Sequence, residues 1–191
     1  MGEPTRGAQI REILTVPNVL TMLRIVLVPA LILFILSGRH GAALGVFLTA
    51  GVTDALDGFI ARRFNQTSRL GSFLDPLADK LLVVSSAIVL AWVGLMPRWL
   101  AMVMAGRDIL ILAGAGLFYL RTKQLEMDPS ILSKINTFVQ IALILAVLAH
   151  GAGSDFLGGI LKPFFVLALV TALVSGGHYV VAWGMKAYAA R

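Results

Sequence analysis

The chain has 191 residues and no cysteine, and 58% of its residues are hydrophobic while only 14% are charged. A soluble domain is about 45–50% apolar and about 25% charged, so this composition excludes a soluble globular enzyme, a disordered tail and a disulfide scaffold. It predicts an all-α integral membrane protein with a single domain over residues 1–191. The net charge of +6 indicates basic cytosolic loops and contact with anionic lipid, and not the binding of nucleic acid.

Six stretches are long and apolar enough to cross a bilayer as helices, which takes about 20 residues each. In chain order, the predicted transmembrane helices cover residues 19–37, 42–61, 76–95, 99–120, 131–150 and 161–182. The only polar loops of any length are predicted at 62–75 and 121–130. Before the first helix, Ile10, Ile13 and Leu14 recur at helical spacing, which predicts a short amphipathic helix on the membrane, with a frayed terminus as an equal alternative.

The basic residues predict the orientation of these helices. Six crossings put both termini on the same side as the second and fourth loops. That side carries most of the basic loop and terminal residues: Arg6, Arg11, Arg62, Arg63, Arg69, Arg121, Lys123, Lys186 and Arg191. The other side carries Arg39, Arg98 and Lys162. The positive-inside rule therefore places both termini in the cytosol. We expect the membrane to be a bacterial-type cytoplasmic membrane.

Four aspartates lie near the cytosolic ends of the second and third predicted helices: Asp54, Asp57, Asp75 and Asp79. The first pair falls about 60° apart on one helix face, beside the small residues Gly58 and Ala61, and the second pair is four residues apart on another face. Paired carboxylates without cysteine suit Mg²⁺, Mn²⁺ or Ca²⁺, and two cations side by side favour phosphoryl transfer. The alternative is four interfacial acids that are merely neutralised by Arg62, Arg63, Arg69 and Lys80.

These residues also carry a family resemblance. The stretch Asp54-Ala-Leu-Asp57-Gly58-Phe-Ile-Ala61-Arg62, followed after eight residues by Gly71-Ser-Phe-Leu-Asp75-Pro-Leu-Ala-Asp79, resembles the signature of the CDP-alcohol phosphatidyltransferases. That signature reads D-x-x-D-G-x-x-A-R, eight residues, then G-x-x-x-D-x-x-x-D, and every fixed position is present. The resemblance implies an enzyme of phospholipid biosynthesis that uses CDP-diacylglycerol, releases CMP and forms a homodimer.

The resemblance also implies residue roles. The four aspartates would hold a two-metal centre of Mg²⁺ or Mn²⁺, and Asp79 would be the catalytic base. The residues implied for binding CDP-diacylglycerol are Asn18, Thr21, Gly58, Ala61, Arg62, Ser68 and Gly71.

Three cations are candidates for binding the acceptor: Arg24, Arg107 and Lys134. An arginine inside a membrane helix is costly and marks a functional site by default, and its guanidinium suits a phosphate. The structural alternative for Arg107 is an ion pair with Asp108, which is disfavoured because neighbouring helical residues point about 100° apart. Gly106-Arg107-Asp108 and the run from Ser133 to Gln140 resemble the branch of the family that makes cardiolipin from phosphatidylglycerol. Glycerol 3-phosphate, giving phosphatidylglycerophosphate, is the alternative acceptor.

Two other classes of protein remain open. Acids inside a membrane can mark the ion path of a cation-coupled transporter, although here they cluster at one side of the membrane. A structural adaptor that binds anionic lipid is the second rival, and its lipid binding would not respond to a chelator.

Overall fold

A computed structural model describes residues 16–64, 69–122 and 130–189. These three ranges form six α-helices and contain no β-strand, so the all-α prediction is confirmed. The helices are α1 (Val16–Leu36), α2 (His40–Phe64), α3 (Arg69–Trp92), α4 (Arg98–Thr122), α5 (Ile131–Gly151) and α6 (Asp155–Ala189). The predicted N-terminal amphipathic helix, with Ile10, Ile13 and Leu14, lies outside the described residues.

The helices differ from the predicted spans mainly at their ends. The predicted loop at 62–75 is helical up to Phe64 and again from Arg69, so both halves of the aspartate motif belong to helices. The last helix begins at Asp155, before the predicted start at residue 161, and includes Pro163. Proline inside a helix removes one backbone hydrogen bond, but a helix packed against neighbours tolerates it because the freed carbonyl finds another partner.

Short turns connect most successive helices. Gly94 (φ +83°) follows α3 and Gly153 (φ +108°) follows α5, and both adopt a left-handed conformation that a side chain would make costly. The side chain of Ser130 caps α5, where its Oγ accepts a hydrogen bond of 3.2 Å from the Ser133 N–H. The Ser130 N–H in turn donates to the hydroxyl oxygen of Tyr179 on α6.

The chain divides into two compact units, and the division falls inside α3. The first unit runs to Ser86, and within it α1 packs against α2. The second unit begins at Ala87, and within it α6 packs against both α4 and α5. That residues 1–191 form one domain stays a prediction.

The exposed side chains differ from those of a soluble domain, although the buried core is mostly apolar. Large apolar side chains are exposed on every helix, including Phe138 at 73% and Phe156 at 84%. Among the residues whose side chains the structure describes, eight polar or charged ones are buried: Thr21, Arg24, Ser86, Arg107, Asp108, Asn136, Gln140 and Ser175. Charged residues are rarely buried and extensive apolar surface is rarely exposed when the surroundings are water, so this arrangement suits apolar surroundings.

Two described helical stretches are long and apolar enough to cross a membrane: Ile131–Gly151 and Asp155–Ala182. A third apolar stretch, Leu20–Leu36, is shorter. Length and composition thus support membrane crossing for part of the described chain, and the count of six transmembrane helices stays a prediction.

Candidate active site

A buried arginine brings two of the four motif aspartates together. Arg24 lies in the middle of α1, and its side chain is 1% exposed. Its Nη2 is 2.8 Å from Asp54 Oδ1 on α2, and its Nη1 is 2.7 Å from Asp79 Oδ1 on α3. One guanidinium therefore joins carboxylates from two other helices, because its planar fork presents donors in two directions. Bonds to a buried cation fix the position of both aspartates.

The two aspartates remain open to solvent on their other sides. The side chain of Asp54 is 46% exposed and that of Asp79 is 43% exposed. Thr21, predicted to bind the nucleotide, lies one turn before Arg24 and is fully buried. Thr21, Arg24, Asp54 and Asp79 all belong to the first compact unit.

The observed partners of Arg24 differ from its predicted role. The sequence analysis assigned Arg24 to the acceptor, whereas the structure pairs it with two predicted metal ligands. Binding of an acceptor by Arg24 therefore stays a prediction. The pairing was not foreseen because Arg24 is 55 residues from Asp79 in sequence, and spacing reveals neighbours only within one helix.

The described donor atoms fit a hard divalent cation. Asp54 and Asp79 supply carboxylate oxygens from two helices, which is the ligand type that Mg²⁺ and Mn²⁺ prefer. The Arg24 guanidinium bonds both carboxylates, so its positive charge offsets part of their negative charge. No group of three potential metal-binding side chains occurs among the described residues. Further predicted site residues lie outside the described side chains: Asn18, Asp57, Gly58, Ala61, Arg62, Ser68, Gly71 and Asp75.

A second polar cluster lies in the second unit and centres on Arg107 of α4. Its Nη1 forms a buried ion pair of 2.6 Å with Asp108 Oδ1. Its Nη2 donates to Ser133 Oγ of α5 at 2.7 Å and also to Ser175 Oγ of α6. The Arg107 guanidinium thus joins three helices.

The expectation that Arg107 and Asp108 would not pair is wrong. Their Cα–Cβ bonds do point in different directions, but the long arginine side chain reaches across to its neighbour. Burial also favours the pair, since each ion would otherwise lack a counter-charge in an apolar environment. Lys134, the other predicted acceptor ligand on this side of the chain, is exposed. The Arg107 charge is therefore already compensated, and that of Lys134 is more accessible.

Asn136 and Gln140 of α5 are two further buried polar residues, which the sequence analysis used only as part of the run from Ser133 to Gln140. Both are fully buried, and their amide atoms have no hydrogen-bond partner in the described parts of the chain. The sequence signal was the spacing of Ser133, Asn136 and Gln140, which places three polar residues on one side of an apolar helix.

Comparison with known proteins identifies the family of this chain. The family model for CDP-alcohol phosphatidyltransferase matches residues 14–175, which include both polar clusters. The chain therefore belongs to the CDP-alcohol phosphatidyltransferase family, and the resemblance seen in the aspartate motif is confirmed. Members of this family generally use a divalent metal.

Individual relatives carry two different activity names. A cardiolipin synthase (CMP-forming) of Rattus norvegicus is 42% identical over 71% of this chain and 50% of its own length. A cardiolipin synthase (CMP-forming) of Streptomyces coelicolor is 37% identical over 76% of this chain and 70% of its own length. A CDP-diacylglycerol–glycerol-3-phosphate 3-phosphatidyltransferase of Bacillus subtilis is 34% identical over 85% of this chain and 92% of its own length. The chain spans about half the length of its rat, human and fly relatives.

Proposed function

We propose that the chain is a phosphatidyltransferase that moves the phosphatidyl group of CDP-diacylglycerol to a hydroxyl of a glycerol-containing acceptor and releases CMP. One observation carries the proposal: Arg24 holds the motif carboxylates Asp54 and Asp79 together at a solvent-accessible position. Family membership and the names of the relatives support the same reaction.

The proposed reaction is a displacement at phosphorus. The acceptor hydroxyl oxygen bonds to the phosphorus that carries diacylglycerol, and the bond from that phosphorus to the bridging oxygen breaks. CMP leaves with the bonding electron pair, while the hydroxyl proton passes to the carboxylate of Asp79. A positioned base contributes about 10²–10⁴-fold to such a step. Arg24 supports this role because it fixes one oxygen of Asp79 and so orients the carboxylate.

Metal and donor binding complete the proposed site. Asp54, Asp57, Asp75 and Asp79 would hold Mg²⁺ or Mn²⁺ as a two-metal centre, which supplies charge neutralisation to the pyrophosphate when bound. The residues proposed to bind CDP-diacylglycerol are Asn18, Thr21, Gly58, Ala61, Arg62, Ser68 and Gly71.

Phosphatidylglycerol is the favoured acceptor, with cardiolipin as the product. The names of the rat and Streptomyces coelicolor relatives support it. Glycerol 3-phosphate is the second candidate, because the Bacillus subtilis relative named for that acceptor matches over most of both chains.

An acceptor comparison tests the proposed function. Purified protein in detergent with CDP-diacylglycerol and Mn²⁺ or Mg²⁺ is given phosphatidylglycerol, glycerol 3-phosphate, serine or no acceptor. We expect CMP and cardiolipin, measured by mass spectrometry, only with phosphatidylglycerol. Product from glycerol 3-phosphate alone would replace the acceptor assignment and keep the reaction class. Absence of CMP with every acceptor would refute the transferase.

A chelator arm of the same assay addresses the metal. EDTA should abolish CMP release, and excess Mg²⁺ or Mn²⁺ should restore it. Full activity in EDTA would contradict the proposed metal centre. Cation flux into proteoliposomes without lipid turnover would instead support the transporter.

We further propose that the chain crosses a bacterial-type cytoplasmic membrane through six helices, with both termini and the active site in the cytosol. Exposed apolar side chains, buried charges and the two long apolar stretches support the membrane location. Burial of lipid tails in the same bilayer would let the donor reach the site without extraction. A homodimer is also proposed from the family resemblance, and sedimentation in detergent measures it.

The absence of cysteine from the natural chain makes the orientation testable. In intact bacteria, a membrane-impermeant maleimide should label Ala152→Cys, between α5 and α6, because the orientation places it outside. Lys123→Cys should react only after permeabilisation, because its loop is predicted to be cytosolic. The cysteine-free parent is the matched control. The reverse labelling pattern would invert the proposed orientation.

A further inference from the structure

Arg24 is a fixed part of the aspartate site. Its side chain is 1% exposed, whereas those of its partners Asp54 and Asp79 are 46% and 43% exposed. A buried cation is costly unless carboxylates compensate its charge, and the Arg24 guanidinium bonds both partners at 2.7–2.8 Å. All three residues lie in the compact unit that ends at Ser86. Because the guanidinium is buried, its positive charge stays beside both carboxylates.

That fixed charge affects any metal that the same carboxylates bind. Asp54 and Asp79 are both proposed metal ligands, and each already bonds the guanidinium through its Oδ1. A guanidinium and a divalent cation that share a carboxylate repel each other. Even at the dielectric constant of water, this repulsion over a few ångströms is worth roughly tenfold in affinity. Arg24 therefore weakens the binding of the metal.

The shape of the guanidinium has a separate effect. Two neighbouring carboxylates repel each other, and Arg24 bonds one with Nη2 and the other with Nη1. A planar fork fixes the direction of both bonds, whereas a lysine would supply the same charge as a single flexible point. The charge of Arg24 thus acts on metal affinity, and its fork acts on the positions of Asp54 and Asp79. The two effects can be separated by substitution.

We propose that Arg24 is a positioning residue that fixes Asp54 and Asp79 for turnover while it weakens their binding of a divalent cation in the absence of the donor, an inference that rests on the proposed function. The pyrophosphate of CDP-diacylglycerol supplies the negative charge that Arg24 offsets. The chain therefore binds the metal tightly only together with the donor. Such coupling is reciprocal, so the metal strengthens donor binding by the same factor.

Binding of Mn²⁺ alone to the detergent-purified full chain tests the effect of charge without turnover. Unbound Mn²⁺ is measured by electron paramagnetic resonance, with protein-free detergent as the blank. Arg24→Met removes the charge and should bind Mn²⁺ about tenfold more tightly than the wild type does. Arg24→Lys keeps the charge and should keep the weak affinity of the wild type.

Arg39→Met is the matched control for loss of an arginine charge. Arg39 is exposed and belongs to the same compact unit. From Arg24 to its end at Leu36, α1 extends about 18 Å, and Arg39 follows that end. This distance exceeds the Debye length of about 10 Å at 0.1 M salt. Mn²⁺ affinity and turnover of Arg39→Met should therefore equal those of the wild type.

Turnover reports the effect of the fork. Arg24→Met and Arg24→Lys should both reduce kcat by about 10²-fold, because a displacement of about 1 Å in a catalytic constellation can cost that much. Arg24→Met should thus combine tighter metal binding with slower turnover. A merely structural loss would instead weaken both, and would not distinguish methionine from lysine in Mn²⁺ binding.

Two further measurements serve if Arg24→Met does not fold without metal. Mn²⁺ should raise its thermal unfolding midpoint more than that of the wild type, because tighter binding stabilises the folded state more. In the wild type, CDP-diacylglycerol should raise Mn²⁺ affinity at least about tenfold, after subtraction of Mn²⁺ bound by protein-free donor micelles.

The possible outcomes separate this proposal from the transferase itself. Mn²⁺ binding by Arg24→Met that is no tighter than in the wild type, without a larger thermal shift, would overturn the proposal. Tight Mn²⁺ binding by the wild type that the donor does not improve would also overturn it. CMP release alongside either result would leave the transferase intact. If no acceptor supports CMP release but Arg24→Met alone binds Mn²⁺ more tightly, the transferase fails and the effect of Arg24 on the metal stands.

Discussion

Asp79→Asn is expected to reduce CMP release by about 10³-fold in a protein that still folds. The amide keeps the shape of the carboxylate but cannot take the proton of the acceptor hydroxyl at neutral pH. It also removes the negative charge that faces Arg24 at 2.7 Å. The loss should appear in kcat with phosphatidylglycerol at saturation, measured as CMP formed per protein.

A matched acid and a neighbouring aspartate control this experiment. Asp155→Asn changes an exposed acid in the first turn of α6 and should leave turnover within about twofold, because surface substitutions of this kind have small effects. Asp54→Asn should also lose activity, but its loss should be partly reversed by raised metal concentration if Asp54 acts through metal binding. Wild-type turnover of a folded Asp79→Asn protein would remove Asp79 as the base.

Asp108→Ala should destabilise the protein by about 3–5 kcal/mol, because it leaves Arg107 as a buried charge without its carboxylate. The double variant Arg107→Met with Asp108→Leu should recover most of this stability, since a buried ion pair can be replaced by apolar residues at little cost. Unfolding in detergent, followed by circular dichroism, measures both effects. Arg98→Met, at the exposed start of α4, is the matched arginine control.

The double variant also separates the structural and acceptor roles of Arg107. If Arg107 only joins α4 to α5 and α6, the stable double variant should keep the wild-type KM for phosphatidylglycerol. A raised acceptor KM in a stable double variant would support the predicted contact with the acceptor. Stability of Asp108→Ala equal to that of the wild type would contradict the importance of the ion pair.

The sequence predicted the helices well because long apolar runs leave few alternatives to a helix. It erred where glycines interrupt an apolar run, as at the start of α6, because local propensity does not include packing against neighbouring helices. The aspartate motif was found because its residues recur at fixed sequence spacing along two successive helices. The contacts of Arg24 with Asp54 and Asp79 were missed because they join separate helices.

The second cluster shows a different limit of sequence reasoning. Helical geometry gave the direction of the Arg107 Cα–Cβ bond correctly but could not give the reach of a long side chain, so the pair with Asp108 was discounted. Polarity on one side of α5 was visible at Asn136 and Gln140. Whether those amides had partners depended on the packing of neighbouring side chains around α5, which only the structure describes.

The length of α6 sets how it can sit in the proposed bilayer. The described stretch Asp155–Ala182, which includes the charged residues Asp155 and Lys162, has 28 residues and so measures about 42 Å, against a hydrocarbon core of about 30 Å. Tilting alone would need an angle of about 44°, beyond the usual range of up to about 40°. A nearly upright helix instead matches the full bilayer thickness of about 40–45 Å, including both headgroup layers. We therefore expect thinning of the membrane to leave more of α6 outside the hydrocarbon core.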